Sequence, residues 1–132
     1  MVLVDTDVLI WYMRGDRKAK RVIDKAGAFY ISSVNYMELL QGIRNKEELR
    51  SLRHFLTQRG VEIVHVNEEI SQKALNYMEE YSLSHNLRMA DAMIAATALV
   101  SGVTLLTANT KHYVPIKGIQ IRQFRPYEVG RP

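Results

Sequence analysis

Short apolar runs alternate along this chain with longer stretches in which apolar residues return every three or four positions. The opening run, Val2-Leu3-Val4, is β-branched and apolar, the pattern of a strand buried on both faces. The period then changes, and residues 8–13 read as a short helix stopped at Gly15. Asp5-Thr6-Asp7 stands at the junction, where short oxygen-bearing side chains accept the free N–H groups of a first helical turn. Asp16 caps a second helix to about residue 26, before Gly27, and residues 28–31 read as the next strand. Ser32 and Ser33 are both candidate caps for a helix through residue 43, in which Tyr36, Leu39, Leu40 and Ile43 recur at helical spacing. Asn45 opens a helix over 46–58, with Leu49, Leu52, Phe55 and Leu56 on one face and Gly60 at its end.

Residues 62–66 alternate with a β-branched bias and predict a strand. Asn67 caps a long helix to about residue 84, with Ile70, Ala74, Leu75 and Met78 inward. After a break at 85–87, residues 89–101 form a strongly apolar helix ended by Gly102. Residues 103–106 read as a buried strand, 109–113 as a helical turn broken before Pro115, and 119–122 as a last short strand. The order β-α-α-β-α-α-β-α-α-β-α-β predicts an α/β fold, a central parallel sheet with helices on both faces. One domain is expected over residues 1–124, with 125–132 a loose C-terminal tail.

Composition narrows this picture. The 132 residues suit one domain with its own core, and the absence of cysteine excludes disulfides and cysteine zinc sites. No apolar run approaches the ~18 residues of a membrane span, and the acidic first residues are wrong for a signal peptide, so a cytoplasmic location is expected. The formal charge of +4 is uneven: residues 1–60 hold 11 Lys or Arg against 7 Asp or Glu, and the rest balance. Arg14, Arg17, Lys18, Lys20, Arg21 and Lys25 are the densest basic cluster. It suits either a polyanion such as RNA or a solvated helix face.

Four polar residues stand where their surroundings explain them poorly. Asp5 closes a buried-type strand and leads into a helix, the place where open α/β sheets present chemistry. It and Asp7 could equally be caps. Glu38 lies early on a largely apolar helix, facing either a site or water. Asp91 lies on a helix with almost no polar face, and a buried carboxylate needs a cation, either Arg, Lys or a metal. Asn109 lies just past the strand over 103–106, the same relative place as Asp5; adjacent strand ends would bring the two together, although a turn role is also open. Oxygen-rich side chains without a Cys or His cluster suit hard divalent cations, Mg²⁺ or Mn²⁺. Such ions activate water and stabilise a leaving oxygen in phosphodiester displacement.

These motifs are similar to those of a known family. Leu3-Val4-Asp5-Thr6-Asp7-Val8-Leu9-Ile10, Ser33 through Glu38-Leu39-Leu40-Gln41-Gly42, Ala90-Asp91-Ala92-Met93-Ile94-Ala95-Ala96, and Leu106-Thr107-Ala108-Asn109 followed by His112-Tyr113 occur in order. Together they resemble the PIN domain, most closely its toxin branch, the VapC-type ribonucleases of toxin–antitoxin pairs. The resemblance implies a PIN-like three-layer α/β/α fold with four to five parallel strands. It implies a Mg²⁺- or Mn²⁺-dependent endoribonuclease in which Asp5, Glu38 and Asp91 match the acidic metal ligands and, with Asn109, the catalytic set. Many PIN domains carry Asp where Asn109 stands, which leaves a second metal open. Thr6, Asp7, Ser33 and Thr107 would hold the ligands by hydrogen bonds. Arg14, Lys18 and Arg88 are the residues expected to meet RNA. The implied partners are an RNA substrate, a second copy of the chain in a homodimer, and a VapB-type antitoxin that covers the site in a heterotetramer or larger assembly. Trp11, Tyr12, Tyr36, Leu40 and Phe55 are expected either to line the antitoxin groove or to belong to the core.

Two other readings compete. A catalytically silent PIN-like domain would bind RNA or protein without cleaving, which the joint presence of Asp5, Glu38 and Asp91 argues against. An aspartyl-phosphate phosphatase of the haloacid dehalogenase type would also open with a strand and Asp5-Thr6-Asp7. That family wants Thr or Val where Leu9 stands and a late acidic pair, whereas the only acid after Asp91 is Glu128.

Overall fold

In the computed structural model, which describes residues 1–126, the opening strand β1 (Val2–Val4) takes the centre of the sheet. On one side lie β2 (Tyr30–Ser32) and then β3 (Glu62–Val64); on the other lie β4 (Thr104–Thr107) and then β5 (Ile121–Gln123). All pairs are parallel, as expected, and Val4 stands opposite Leu106. The chain thus builds one half of the sheet outward from β1 and then returns to build the other half. The loops leaving β1 and β4 turn away in opposite senses, which opens a crevice at their carboxyl ends.

Alternate residues of the central strands feed two separate cores. Leu3 and Leu105 point to one face, with Val34, Ile70, Ala74, Ile94, Ala95 and Tyr113. Val4, Ile31 and Leu106 point to the other, with Val8, Leu9, Ile23, Phe29, Leu52 and Leu56. This period of two explains why the strands read as unbroken apolar runs: both faces are covered. Helices α5 (Glu68–His85) and α6 (Met89–Ser101) cover the first face. Helices α1 (Thr6–Met13), α2 (Arg17–Ala26) and α4 (Lys46–Gln58) cover the second. Helix α3 (Ser33–Gln41) serves both, through Val34 and Leu39. Among the described residues, no helix is long and apolar enough to cross a membrane.

Local capping sets most helix starts. Asp16 accepts from the Ala19 N–H at 2.9 Å, Asn45 from Glu48 at 2.8 Å and Asn67 from Ile70 at 2.9 Å. Several boundaries differ from the sequence pattern: β2 starts at Tyr30, β3 stops at Val64 rather than residue 66, and β5 runs Ile121–Gln123 rather than 119–122. Helix α1 begins at Thr6, two residues early, because Asp5 alone is the cap and Thr6 and Asp7 enter the first turn. Helix α3 is capped by Ser32, so Ser33 is its first helical residue, and it stops at Gln41 with Gly42 as its C-cap. Both strands β2 and β4 end one residue later than the apolar run suggests, because Ser32 and Thr107 extend the ladder. Of the expected tail, residues 127–132 lie outside the described part. Phe124 just before it is buried in the second core.

Candidate active site

Parallel pairing of β1 with β4 places Asp5 beside Thr107, and the Asp5 N–H donates to the Leu106 carbonyl at 2.9 Å. The Asp5 side chain is only 6% exposed and accepts four hydrogen bonds. Its Oδ1 accepts from the Thr6 N–H at 2.9 Å and from Asn35 Nδ2 at 3.2 Å. Its Oδ2 accepts from Thr107 Oγ1 at 2.9 Å and from the Tyr113 hydroxyl at 2.8 Å. A carboxylate with two such donors on each oxygen has a fixed plane.

Glu38 comes to the same crevice from α3, half-buried, and accepts from Thr6 Oγ1 at 2.6 Å. Thr6 Oγ1 in turn accepts from Asn35 Nδ2 at 3.0 Å. Asn35 is fully buried, and its Oδ1 accepts from the Ser32 N–H and hydroxyl. The residue that closes the capping box of α3 therefore also joins Asp5 to the helix carrying Glu38. Asp91, on the first turn of α6, has a side chain 14% exposed, and its Oδ1 lies 3.3 Å from His112 Nδ1. Its neighbour is thus a histidine, and the Arg88 charge acts on it too.

The electrostatics are those of crowded acids. Burial raises Glu38 above the usual carboxylate range, and the Asp5 and Asp91 charges add to the effect. Burial likewise raises Asp91, with the Asp5 charge adding and His112 opposing. Asp7 is pushed up to about 6 by burial and then by Asp5. Burial, then the Asp5 charge and hydrogen bond, keep the Tyr113 phenol protonated. Hard oxygen donors facing one another with too little positive charge are the chemistry of a Mg²⁺ or Mn²⁺ site. Among the described residues no three carboxylates or imidazoles are close enough to enclose an ion on their own.

The other expected site residues divide. Asp7 accepts from the Ala108 N–H at 3.2 Å and from Thr107 Oγ1 at 3.3 Å, so it holds the loop after β4. Thr6 bonds Glu38 and Thr107 bonds Asp5. Ser33 does not: it makes no hydrogen bond to these acids, and Ser32 and Asn35 take that part because Ser32, not Ser33, ends the strand. Asn109 does not stand beside Asp5 as the strand ends suggested. Its N–H donates to Thr107 Oγ1 at 3.0 Å, but its side chain is exposed two residues beyond Asp5's true neighbour, Thr107. Arg88 is exposed next to Asp91. Arg14 lies over the Trp11 ring at 5.8 Å, and Lys18 is exposed on α2; neither bonds the acids.

The aromatic set also splits. Tyr12 and Phe55 stack at 5.1 Å, Arg59 covers both rings, and its guanidinium donates to the Tyr12 hydroxyl at 2.9 Å while pairing with Asp24 at 2.5 Å. These two residues are thereby committed to tying α1, α2 and α4 together. Tyr36 is partly buried and lines a cleft of about 310 Å³ with Arg53, Leu56, Thr57, Val61 and Ile63. Leu40 is 36% exposed, and Met37, absent from the expected set, is 56% exposed beside Glu38. Sequence reasoning gave no role to Asn35, His112 or Tyr113. Asn35 carried one signal, a polar residue among Val34, Tyr36 and Met37, three places after a serine cap.

Comparison with known proteins adds an independent line. Residues 2–115 match the PIN domain family model. The chain is 37% identical over 120 residues to Ribonuclease VapC10 of Mycobacterium tuberculosis, covering 86% of each. It is similar to a chain of a toxin-antitoxin complex from Klebsiella pneumoniae, with TM-score 0.72 and 28% identity over 90% of this chain and 95% of that one. A chain of VapBC2 from Rickettsia felis bound to a promoter DNA fragment shares the fold, with TM-score 0.81 at 20% identity, covering 95% and 100%.

Proposed function

The chain belongs to the PIN domain family, and on that premise we propose that it is a VapC-type toxin, an endoribonuclease whose partner is an antitoxin. What supports this reading is that Asp5 and Asp91 both act electrostatically on Glu38, and Asp5 on Asp91, while Thr6 bonds both Asp5 and Glu38. We assign these three as ligands of Mg²⁺ or Mn²⁺. When bound, such an ion supplies an activated water and neutralises charge on the scissile phosphate. The chain's own residues do the rest. Thr6, Asn35 and Thr107 orient the acids, and Asp7 holds the loop that carries Asn109. Arg88, with Arg14 and Lys18 farther along, attracts the RNA backbone by charge. The working location is the cytoplasm, with a homodimer as the unit that the antitoxin assembles into a heterotetramer or larger particle.

The test is expression with the antitoxin absent, followed by sequencing of RNA 5′ ends. New ends that require Asp5, Glu38 and Asp91 support the reading. Unchanged RNA, with RNA still bound, would instead favour a silent binding domain.

For the antitoxin we retain Trp11, Tyr36 and Leu40 as anchors, and add Met37: Met37 and Leu40 are exposed on the helix of Glu38, Trp11 and Tyr36 are partly exposed, and such apolar side chains suit an amphipathic helix. Trp11→Ala is expected to weaken antitoxin binding by about 2 kcal/mol or more at little cost in stability. Calorimetry and thermal melting check this together. A fold weakened by ~3–5 kcal/mol with normal binding would return Trp11 to the core.

A further inference from the structure

The 3₁₀ turn Thr110–Tyr113 places two successive side chains on two different acids. His112 meets Asp91 at 3.3 Å, and the Tyr113 hydroxyl donates to Asp5 Oδ2 at 2.8 Å. The Tyr113 ring is 1% exposed and belongs to the core face that holds Leu3, Leu105 and Ile116. Filling that core needs only a ring, since phenylalanine has the same shape. The hydroxyl serves Asp5 alone.

Asp5 Oδ2 has one other donor, Thr107, whose Oγ1 also lies 3.3 Å from Asp7 Oδ2. A hydroxyl donates one hydrogen bond, so Thr107 is shared between two acids. Tyr113 is the dedicated side-chain donor on that oxygen, and its close-packed ring holds it still. Thr6 N–H and Asn35 Nδ2 still pin Oδ1, so without Tyr113 the carboxylate can tilt about that oxygen and let Oδ2 move.

We propose that Tyr113 is a positioning residue that fixes the Asp5 carboxylate for metal binding, an inference that rests on the reading of Asp5 as a metal ligand. The variant is Tyr113→Phe, with Ile116→Val as a control that loosens the same core without touching Asp5. Mn²⁺ binding is measured by calorimetry, RNA cleavage is followed against Mn²⁺ concentration, and melting is recorded in EDTA. Tyr113→Phe is expected to raise the Mn²⁺ dissociation constant and the half-saturating Mn²⁺ by about tenfold or more, the size seen when outer partners of ligands are lost. Saturating Mn²⁺ should recover most of the maximal rate. Ile116→Val should lower melting and leave both constants alone. Mn²⁺ constants in Tyr113→Phe at or below those of the parent would overturn the positioning role while leaving the metal reading intact. A parent chain that binds no Mn²⁺, or binds it equally well as Asp5→Asn, would overturn both.

Discussion

Asp91→Asn is expected to abolish RNA cleavage, by more than the roughly 100-fold seen when only an outer partner of a ligand is lost, with no loss of thermal stability in EDTA. The two halves of this expectation have separate causes. Asparagine keeps the shape but offers a neutral oxygen, which holds a divalent cation poorly. Stability moves the other way because burial and the Asp5 charge raise the Asp91 carboxyl in the fold. A group raised above its unfolded value costs stability at neutral pH, where it must be ionised. Removing the charge relieves that cost. His112 loses its partner, but its ring is 47% exposed and water can replace the contact. Cleavage assays and melting curves of the two proteins decide it. Parental cleavage rates in the variant would end the assignment of Asp91 as a ligand, and a steep fall in melting temperature would make it a structural acid.

Chelation is expected to have an effect as large. Excess EDTA should stop cleavage, and Mg²⁺ or Mn²⁺ alone should restore it, while Ca²⁺ restores little. Every donor at the site is an oxygen, and displacement at phosphorus wants short, near-octahedral coordination that the larger Ca²⁺ does not enforce. Melting should report the same ions without any substrate. Asp5, Glu38 and Asp91 repel one another, so an ion that binds only the folded chain raises its melting temperature with concentration. Cleavage that persists undiminished in chelator would sink the metal mechanism, whatever the melting curves do.

How far the sequence reached can be seen helix by helix. Helices α4 and α6 were legible to the residue, Lys46–Gln58 and Met89–Ser101, as was the order of all the strands and helices. Their signals are local: a cap, an apolar period and a stop lie within a turn or two of one another. That Asp5 and Asp91 would be acids in apolar surroundings was legible too, because a carboxylate there is out of place wherever the chain goes, whereas Glu38 could equally have faced water. The donors around them were not. Tyr113 reaches Asp5 across 108 positions, Thr107 across 102 and Asn35 across 30. Nothing near Tyr113 in the chain distinguishes a core ring from a ring whose hydroxyl holds an acid. That Asp91 lies against His112, that Ser32 rather than Ser33 supports the site, and that Tyr12 is held by Arg59, were likewise decided only in three dimensions. Caps and periods are settled by neighbours along the chain. The partners of a buried polar atom depend on which strand ends lie side by side, and here that was set by packing both halves of the sheet against β1.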